Sequence, residues 1–212
     1  MRTARNTVNT LARLNDGTTL HILPLIPQDK NCLQAGYMCL SKRSRYYRFL
    51  TFQKKLNDKQ LKYLTEIDYI KHFAPGARLA SQYGKGIGIG RFVRIAEEPD
   101  TAEVGLITID AYQQKGLSTL FLQLLAQYAR QNKLRIFRGY VLEDNHKLLN
   151  FVRHFHANIS WEGGPVLKVD IKLSDIETAP YQLRPVYLPD LKKRVVSVPK
   201  IQSSGTIQPY NG

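Results

Sequence analysis

With 212 residues and 43% hydrophobic content, the chain is long enough for one substantial core and too short for two average independent domains. Its 31 Lys and Arg against 17 Asp and Glu give a net charge of +14, which draws nucleic acid, anionic lipid or phosphate-rich cofactors without choosing among them. No apolar stretch reaches bilayer length, Met1 to Leu11 lacks the core of a secretion signal, and Cys32 and Cys39 are the sole cysteines, so a soluble, cytoplasmic protein with no membrane partner is expected.

Asp16-Gly17 signals a turn ahead of a first strand, Thr19-Leu20-His21-Ile22-Leu23-Pro24, in which Leu20 and Ile22 alternate with polar neighbours. Pro27 and Asp29 open a helix with Leu33, Tyr37 and Leu40 at helical spacing and Asp29 as its N-cap. The basic and aromatic run from Leu40 to Lys55 could contact phosphates and stacked bases, but Tyr47, Leu50 and Phe52 read better as the buried edge of a connector. Asp58 caps a further helix through Leu61, Leu64 and Ile67, and a strand-rich stretch follows. The glycines between Gly84 and Gly90 lack both the spacing and the lysine-hydroxyl pair of phosphate-binding loops, so this segment reads as a hairpin turn entering a strand through Phe92, Val93 and Ile95.

Pro99-Asp100 then turns the chain into a strand from Ala102 to Ile109, with Val104, Leu106 and Thr108 facing one way. Leu117, Leu120, Phe121, Leu124, Leu125, Tyr128 and Ala129 keep the three-four alternation of a buried helical stripe. A strand from Leu134 to Leu142 and a helix starting near Asn145, with Leu148, Leu149, Val152 and Phe155 inward, come next. The last strand, Val166 to Leu173, is entered through Gly163-Gly164-Pro165. Prolines at 180, 185, 189, 199 and 209 and the group Lys192-Lys193-Arg194 mark an extended tail. The expected organisation is an N-terminal extension at 1–15, one catalytic domain at 16–174 and a Pro-rich basic tail at 175–212. His154 and His156 lack acidic or cysteine partners, so no metal site is expected.

The chemistry sits where the strand ending at Ile109 passes through Asp110-Ala111-Tyr112 into Gln113-Gln114-Lys115-Gly116-Leu117-Ser118 and then directly into the amphipathic helix. The first N–H groups of a helix have no partner within it and the helix dipole adds positive charge there, so Leu117, Ser118 and Thr119 can hold a diphosphate. Gly116 permits close backbone approach.

Gln113-x-x-Gly116-x-Ser118 in this strand-loop-helix setting resembles the acyl-CoA loop of the GNAT superfamily of N-acetyltransferases, with Ser118 where Gly or Ala is usual. The blocks Asp16-Gly17-Thr18, Leu40-Ser41 through Arg48-Phe49, Leu64-Thr65 through His72, and Ala102-Glu103-Val104 resemble the Pat-like protein-lysine acetyltransferase domains of that superfamily, over about residues 16 to 173. The resemblance implies the α/β (α+β) GNAT fold: a mixed, mostly antiparallel sheet flanked by helices, with the cofactor loop between a central strand and an amphipathic helix. It also implies acetyl-CoA as acyl donor and a primary amine, foremost a protein lysine, as acceptor, with direct attack on the thioester. Glu103 would be the general base, acting directly or through water. Leu106, Ile107 and Thr108 would pair through their backbones with the pantetheine arm, Gln113 to Thr119, including Gln114 and Lys115, would form the diphosphate loop, and Asn145 would lie close to the cofactor, a role compatible with a plain N-cap. Tyr69 and His72 would line the acceptor side. Two departures stand out: Val152 occupies the place of a thiolate-protonating tyrosine, and His156-Ala157 replaces a Gly-Phe pair. A small-amine acetyltransferase, or a catalytically weak scaffold binding nucleic acid or a regulatory partner, are the rival expectations. Nothing in these residues matches the nucleotide-sensing or CoA-ligase-like domains to which such domains can be fused, so regulation by an attached cyclic-nucleotide domain is not expected, while regulation by a separate partner stays open.

Overall fold

The computed structural model describes residues 9–50, 53–81 and 85–177. Among them, nine strands form one sheet: β1 (Thr10–Arg13), β2 (Thr19–Pro24), β3 (His72–Phe73), β4 (Pro75–Leu79), β5 (Gly86–Arg94), β6 (Thr101–Thr108), β7 (Ile136–Leu142), β8 (Asn158–Trp161) and β9 (Val166–Lys172). Their order is β1-β2-β4-β5-β6-β7-β9-β8, with β3 also on β5, and all pairs are antiparallel except β6 with β7. This is the mixed, mostly antiparallel sheet that the resemblance implies.

The helices are α1 (Lys30–Met38), α2 (Lys42–Phe49), α3 (Asp58–Thr65), α4 (Leu117–Gln131), α5 (His146–Arg153) and α6 (Leu173–Glu177). The stripe read from sequence drives α4 onto the sheet, with Leu117, Leu120, Phe121, Leu125, Tyr128 and Ala129 all buried. Each large apolar side chain so buried stabilises by about 1.5–3 kcal/mol. Tyr128 stacks on Phe73 with centroids 3.9 Å apart, and Phe73, Phe92 and Phe137 continue the aromatic layer beneath. Gly90 of β5 lets α4 seat closely, since a Cβ there would lie 2.9 Å from Phe121 Cβ. The opposite face of the sheet receives α1 and α2, with an apolar cavity between α1 and Ile87, Ile89 and Ile107. None of the described helices is long and apolar enough to cross a membrane.

Several local expectations are corrected. The run expected as a connector is helix α2, which starts where Ser41 Oγ accepts from Ser44 N at 3.1 Å and stops at Leu50, φ 53°. Leu50 is exposed, and Phe52 lies outside the described residues. The cap of α3 is Asn57, in a reciprocal capping box with Gln60, rather than Asp58. Asp29 stands at the N-cap position of α1, but its carboxylate bonds Ile26 N and pairs with Arg78. At the ends, β1 extends the sheet into the segment expected as an N-terminal extension, and α6 carries fully buried Ile176 past the expected boundary at 174. Strand β8 was not anticipated at all. The expected tail beyond Glu177, and the start of the glycine-rich turn at 82–84, lie outside the described residues.

Candidate active site

The parallel ladder between β6 and β7 contains Thr101↔Ile136, Ala102↔Phe137 and Glu103↔Arg138, and it stops there although β6 runs on to Thr108 and β7 to Leu142. Ile95 N donates to Thr101 O at 3.0 Å and Ile109 N to Ile87 O at 2.9 Å, so the odd-numbered residues of β6 turn their backbone groups to β5. Val104 N closes the last rung on Arg138, so the Val104 carbonyl and the backbone groups of Leu106 and Thr108 turn into the gap beyond Glu103, an open strand edge to which an extended, amide-bearing ligand can add. Ile107 is a correction: its backbone pairs with Ile89, and its side chain enters the cavity under α1. Val104 takes its place, a substitution that the alternation of backbone direction along a strand would have revealed.

At the end of the gap, Asp110–Tyr112 forms a 3-10 turn and the chain reaches Gly116, the N-cap of α4, at φ 91°. Leu120 N is bonded back to Gly116 O at 3.1 Å, so the N–H groups of Leu117, Ser118 and Thr119 precede the first helical bond. Together with the helix dipole they form a cradle for an anion. Beside them Thr108, only 7% exposed, buries an Oγ1 with no hydrogen-bond partner. An orphaned hydroxyl of this kind is costly unless a ligand completes it.

The other loop residues divide by role. Gln113 Nε2 lies 3.2 Å from both Ser44 Oγ and Thr108 O, and Lys115 Nζ lies 2.8 Å from Asp16 Oδ2. These two side chains brace the loop instead of reaching out of it. The Lys115 bond is the main reason that the Asp16 carboxyl is held down at about 2. Gln114 is exposed and adopts φ 61°. Asp110 Oδ2 accepts from Ser41 N at 3.0 Å, and its Oδ1 accepts from Ser41 Oγ at 2.9 Å and Ser44 Oγ at 2.8 Å. Burial pushes the Asp110 carboxyl up, but those donors outweigh it and hold it below the usual range. The start of α2 is thus tied to the loop that starts α4. Asn145, 8% exposed, caps α5 by accepting from Leu148 N at 3.3 Å.

Across β6 from α4, a cleft of about 210 Å³ opens over Glu103, between α2, α3 and the sheet. Glu103 is exposed in it, at the last rung of the β6–β7 ladder. Arg48 presses its guanidinium against Gly105, where a Cβ would sit 2.6 Å from Cζ, and Arg91 and Tyr63 also line the cleft. The two residues expected on the acceptor side stand back from it. His72 is buried behind Arg91, whose Nη2 is 2.8 Å from His72 Nε2, and Tyr69 donates its hydroxyl to Leu25 O at 2.7 Å. Burial, and then Arg91, pushes the His72 pKa down to about 4, so the ring is neutral at pH 7. Arg91 has no signal in the sequence, and Arg48 lies in the segment Leu40-Ser41 through Arg48-Phe49, for which the resemblance implies no role at that position. Val152, at the place of the tyrosine that the resemblance implies, is buried.

Residues 40–156 match the acetyltransferase (GNAT) family. The acetyltransferase Pat of Mycolicibacterium smegmatis is 25% identical over 170 residues, 80% of this chain and 50% of that protein. The acetyltransferase PA5475 of Pseudomonas aeruginosa is 32% identical over 124 residues, 58% of this chain and 66% of that protein. The chain thus spans half to about two thirds of the length of these curated relatives. Among solved structures, the GNAT domain of S. lividans PAT superposes with a TM-score of 0.71 at 26% identity, covering 76% of this chain and 95% of that one.

Proposed function

This chain belongs to the GNAT acetyltransferase family, and we propose that it moves an acetyl group from acetyl-CoA to a primary amine, with a protein lysine as acceptor and Glu103 as general base. The observation that carries this is the alignment of three features on β6: the open edge at Val104, Leu106 and Thr108, the helix mouth at its end, and Glu103 where the gap begins. The residues present fit coenzyme A, since the mouth offers unbonded N–H groups for a diphosphate, the edge offers partners for amides, and Thr108 Oγ1 lacks one. When bound, acetyl-CoA would supply an acyl group activated as a thioester.

In this reading Leu117, Ser118 and Thr119 hold the diphosphate through their N–H groups. Leu106 and Thr108, with Val104, orient the pantetheine arm, and Asn145 fixes the facing end of α5. A lysine amine with pKa ~10.4 requires about 4–5 kcal/mol to lose its proton at pH 7. Glu103, exposed in the cleft at the mouth of the gap, accepts that proton directly or through one water. Val152 has no proton to give, so solvent would have to protonate the CoA thiolate. In this reading the donor lies along the open edge of β6 and the acceptor enters through the cleft over Glu103, so the two do not compete for space.

The test is thiol release from acetyl-CoA with a panel of lysine peptides and small amines, for the native chain and Glu103→Gln. The expected result is a fall in kcat of about 10²–10⁴-fold with CoA affinity unchanged by calorimetry. Equal turnover would remove Glu103 from the mechanism. Transfer to small amines alone would replace lysine with that acceptor class.

A further inference from the structure

The cleft over Glu103 holds two guanidiniums against one carboxylate. Arg48 comes from the last turn of α2, partly buried against Gly105, and Arg91 comes from β5, 7% exposed. Each is attracted by Glu103, and each repels the other. The Arg91 guanidinium also sits 4.7 Å from the centroid of the Tyr63 ring. Burial lowers the pKa of both arginines, Arg91 to about 10; a guanidinium keeps its proton in proteins, so both carry charge. His72 behind them is neutral. Among the described residues neither guanidinium is in an ion pair within 4 Å.

Two positive charges and one negative leave an excess of one positive charge in a confined space. A half-buried cation without a counter-ion is costly, and perturbed charges gathered in a cleft mark functional sites. The excess also opposes the proposed acceptor, because a lysine arrives as an ammonium ion and meets like charge. Both problems disappear when the acceptor brings its own anion. The planar guanidinium forks suit a carboxylate, which they can bind with paired N–H donors.

We propose that Arg48 and Arg91 form a carboxylate-binding subsite beside Glu103, so that the chain selects amines carrying a carboxylate close by. This rests on the acetyl-transfer reading above and specifies its acceptor. The carboxylate comes from an Asp or Glu flanking the target lysine, or from the α-carboxylate of a free amino acid. With the anion seated on the two arginines, the cleft is neutralised. The amine then lies near Glu103, which accepts its proton.

The test pairs acceptors that differ only in this charge: a lysine peptide with Asp beside the lysine against the same peptide with Asn, and free lysine against lysinamide. Thiol release gives kcat/KM, and fluorescence anisotropy gives the affinity of the labelled, Nε-acetylated forms of both peptides. The Asp peptide should be preferred by about tenfold or more, mainly through KM, and Arg48→Gln and Arg91→Gln should each bring that ratio towards one. A preference for lysine over lysinamide with no preference between the peptides would assign the subsite to free amino acids. Equal values within both pairs, in turnover and in anisotropy, would overturn the proposal while leaving acetyl transfer intact. If no acceptor turns over, the acetyl-transfer reading falls, and the anisotropy of the two peptides still decides whether the cleft binds a carboxylate. Thermal unfolding of each variant separates lost binding from lost folding, and the comparison of acceptors on the native chain needs no variant.

Discussion

Gly105→Ala offers a perturbation whose size can be read from the coordinates. The added Cβ would lie 2.6 Å from Arg48 Cζ and 3.1 Å from Arg48 Nε, and every close atom belongs to the far end of that one side chain. Carbon atoms pack at about 3.5–4.0 Å, so the guanidinium has to withdraw by about 1 Å. A hydrogen bond of about 2.9 Å to a bound carboxylate would then stretch to nearly 4 Å, beyond the useful range. Loss of one charge-assisted bond corresponds to about 1.5–3 kcal/mol, or roughly 10–100-fold in acceptor KM. The strand itself has no reason to suffer, because Gly105 is not in the left-handed region and alanine in a strand is favoured over glycine by about 0.5–1 kcal/mol. Steady-state kinetics on the Asp and Asn peptides, run beside thermal unfolding, give the two readouts. An unchanged or slightly raised Tm with the charge preference lost is the expected pair. Full preference in the variant would show that Arg48 does not act from its place on Gly105, and a Tm lowered by several degrees would show that the clash reaches the sheet.

The mouth of α4 and the buried histidine give two more tests. Gly116→Ala forces a β-carbon into φ 91° and should cost about 1–2 kcal/mol while weakening CoA binding; unaltered affinity by calorimetry would separate this glycine from the cradle. His72 has its pKa pushed down to about 4, whereas an unfolded histidine titrates near 6.5, so the unfolded chain binds the extra proton between those values. That contribution is fully present above pH 6.5 and is lost as pH falls through 4. Urea midpoints should therefore drop across this window by the equivalent of roughly 3 kcal/mol at most, and His72→Gln should flatten the slope. A native chain with the same midpoint at pH 7 and pH 5 would contradict the burial argument.

The parts of the fold that the sequence displayed are those with strong periodicity. The α4 stripe, the alternating strands β2 and β9, and the strand-loop-helix order around Gly116 each repeat one local rule over many residues. Helix α2 does not: four of its eight residues are Lys or Arg, none is buried, and its only clear signal is the Ser41 cap. Strand β8 is too short to show alternation, and it forms because β9 offers it an edge. His156 illustrates the limit differently. At φ 51° it takes the left-handed turn after α5, for which a sequence reading looks for glycine, so packing around Phe155 overrides local preference there. The open helix mouth at Gly116 was legible because backbone geometry alone creates it. The meeting of Arg48 and Arg91 in one cleft was not, since a helix and a strand residue 43 positions apart must be brought together by the fold before their charges add. The braced side chains of Gln113 and Lys115 had the same problem, as Ser44 and Asp16 are distant in the chain.

The early end of the β6–β7 ladder also has a mechanical side. Strands β1 to β6 and strands β7 to β9 meet within the sheet through three residue pairs at Thr101, Ala102 and Glu103, so this seam has fewer rungs than the neighbouring β5–β6 and β7–β9 ladders. Breathing of the empty chain should concentrate along that line, with the amides of Leu106 and Thr108 exchanging quickly with solvent. A molecule lodged in the gap would serve as the absent rungs and fasten the two banks together, so occupancy here should stiffen the protein as a whole and not only the pocket.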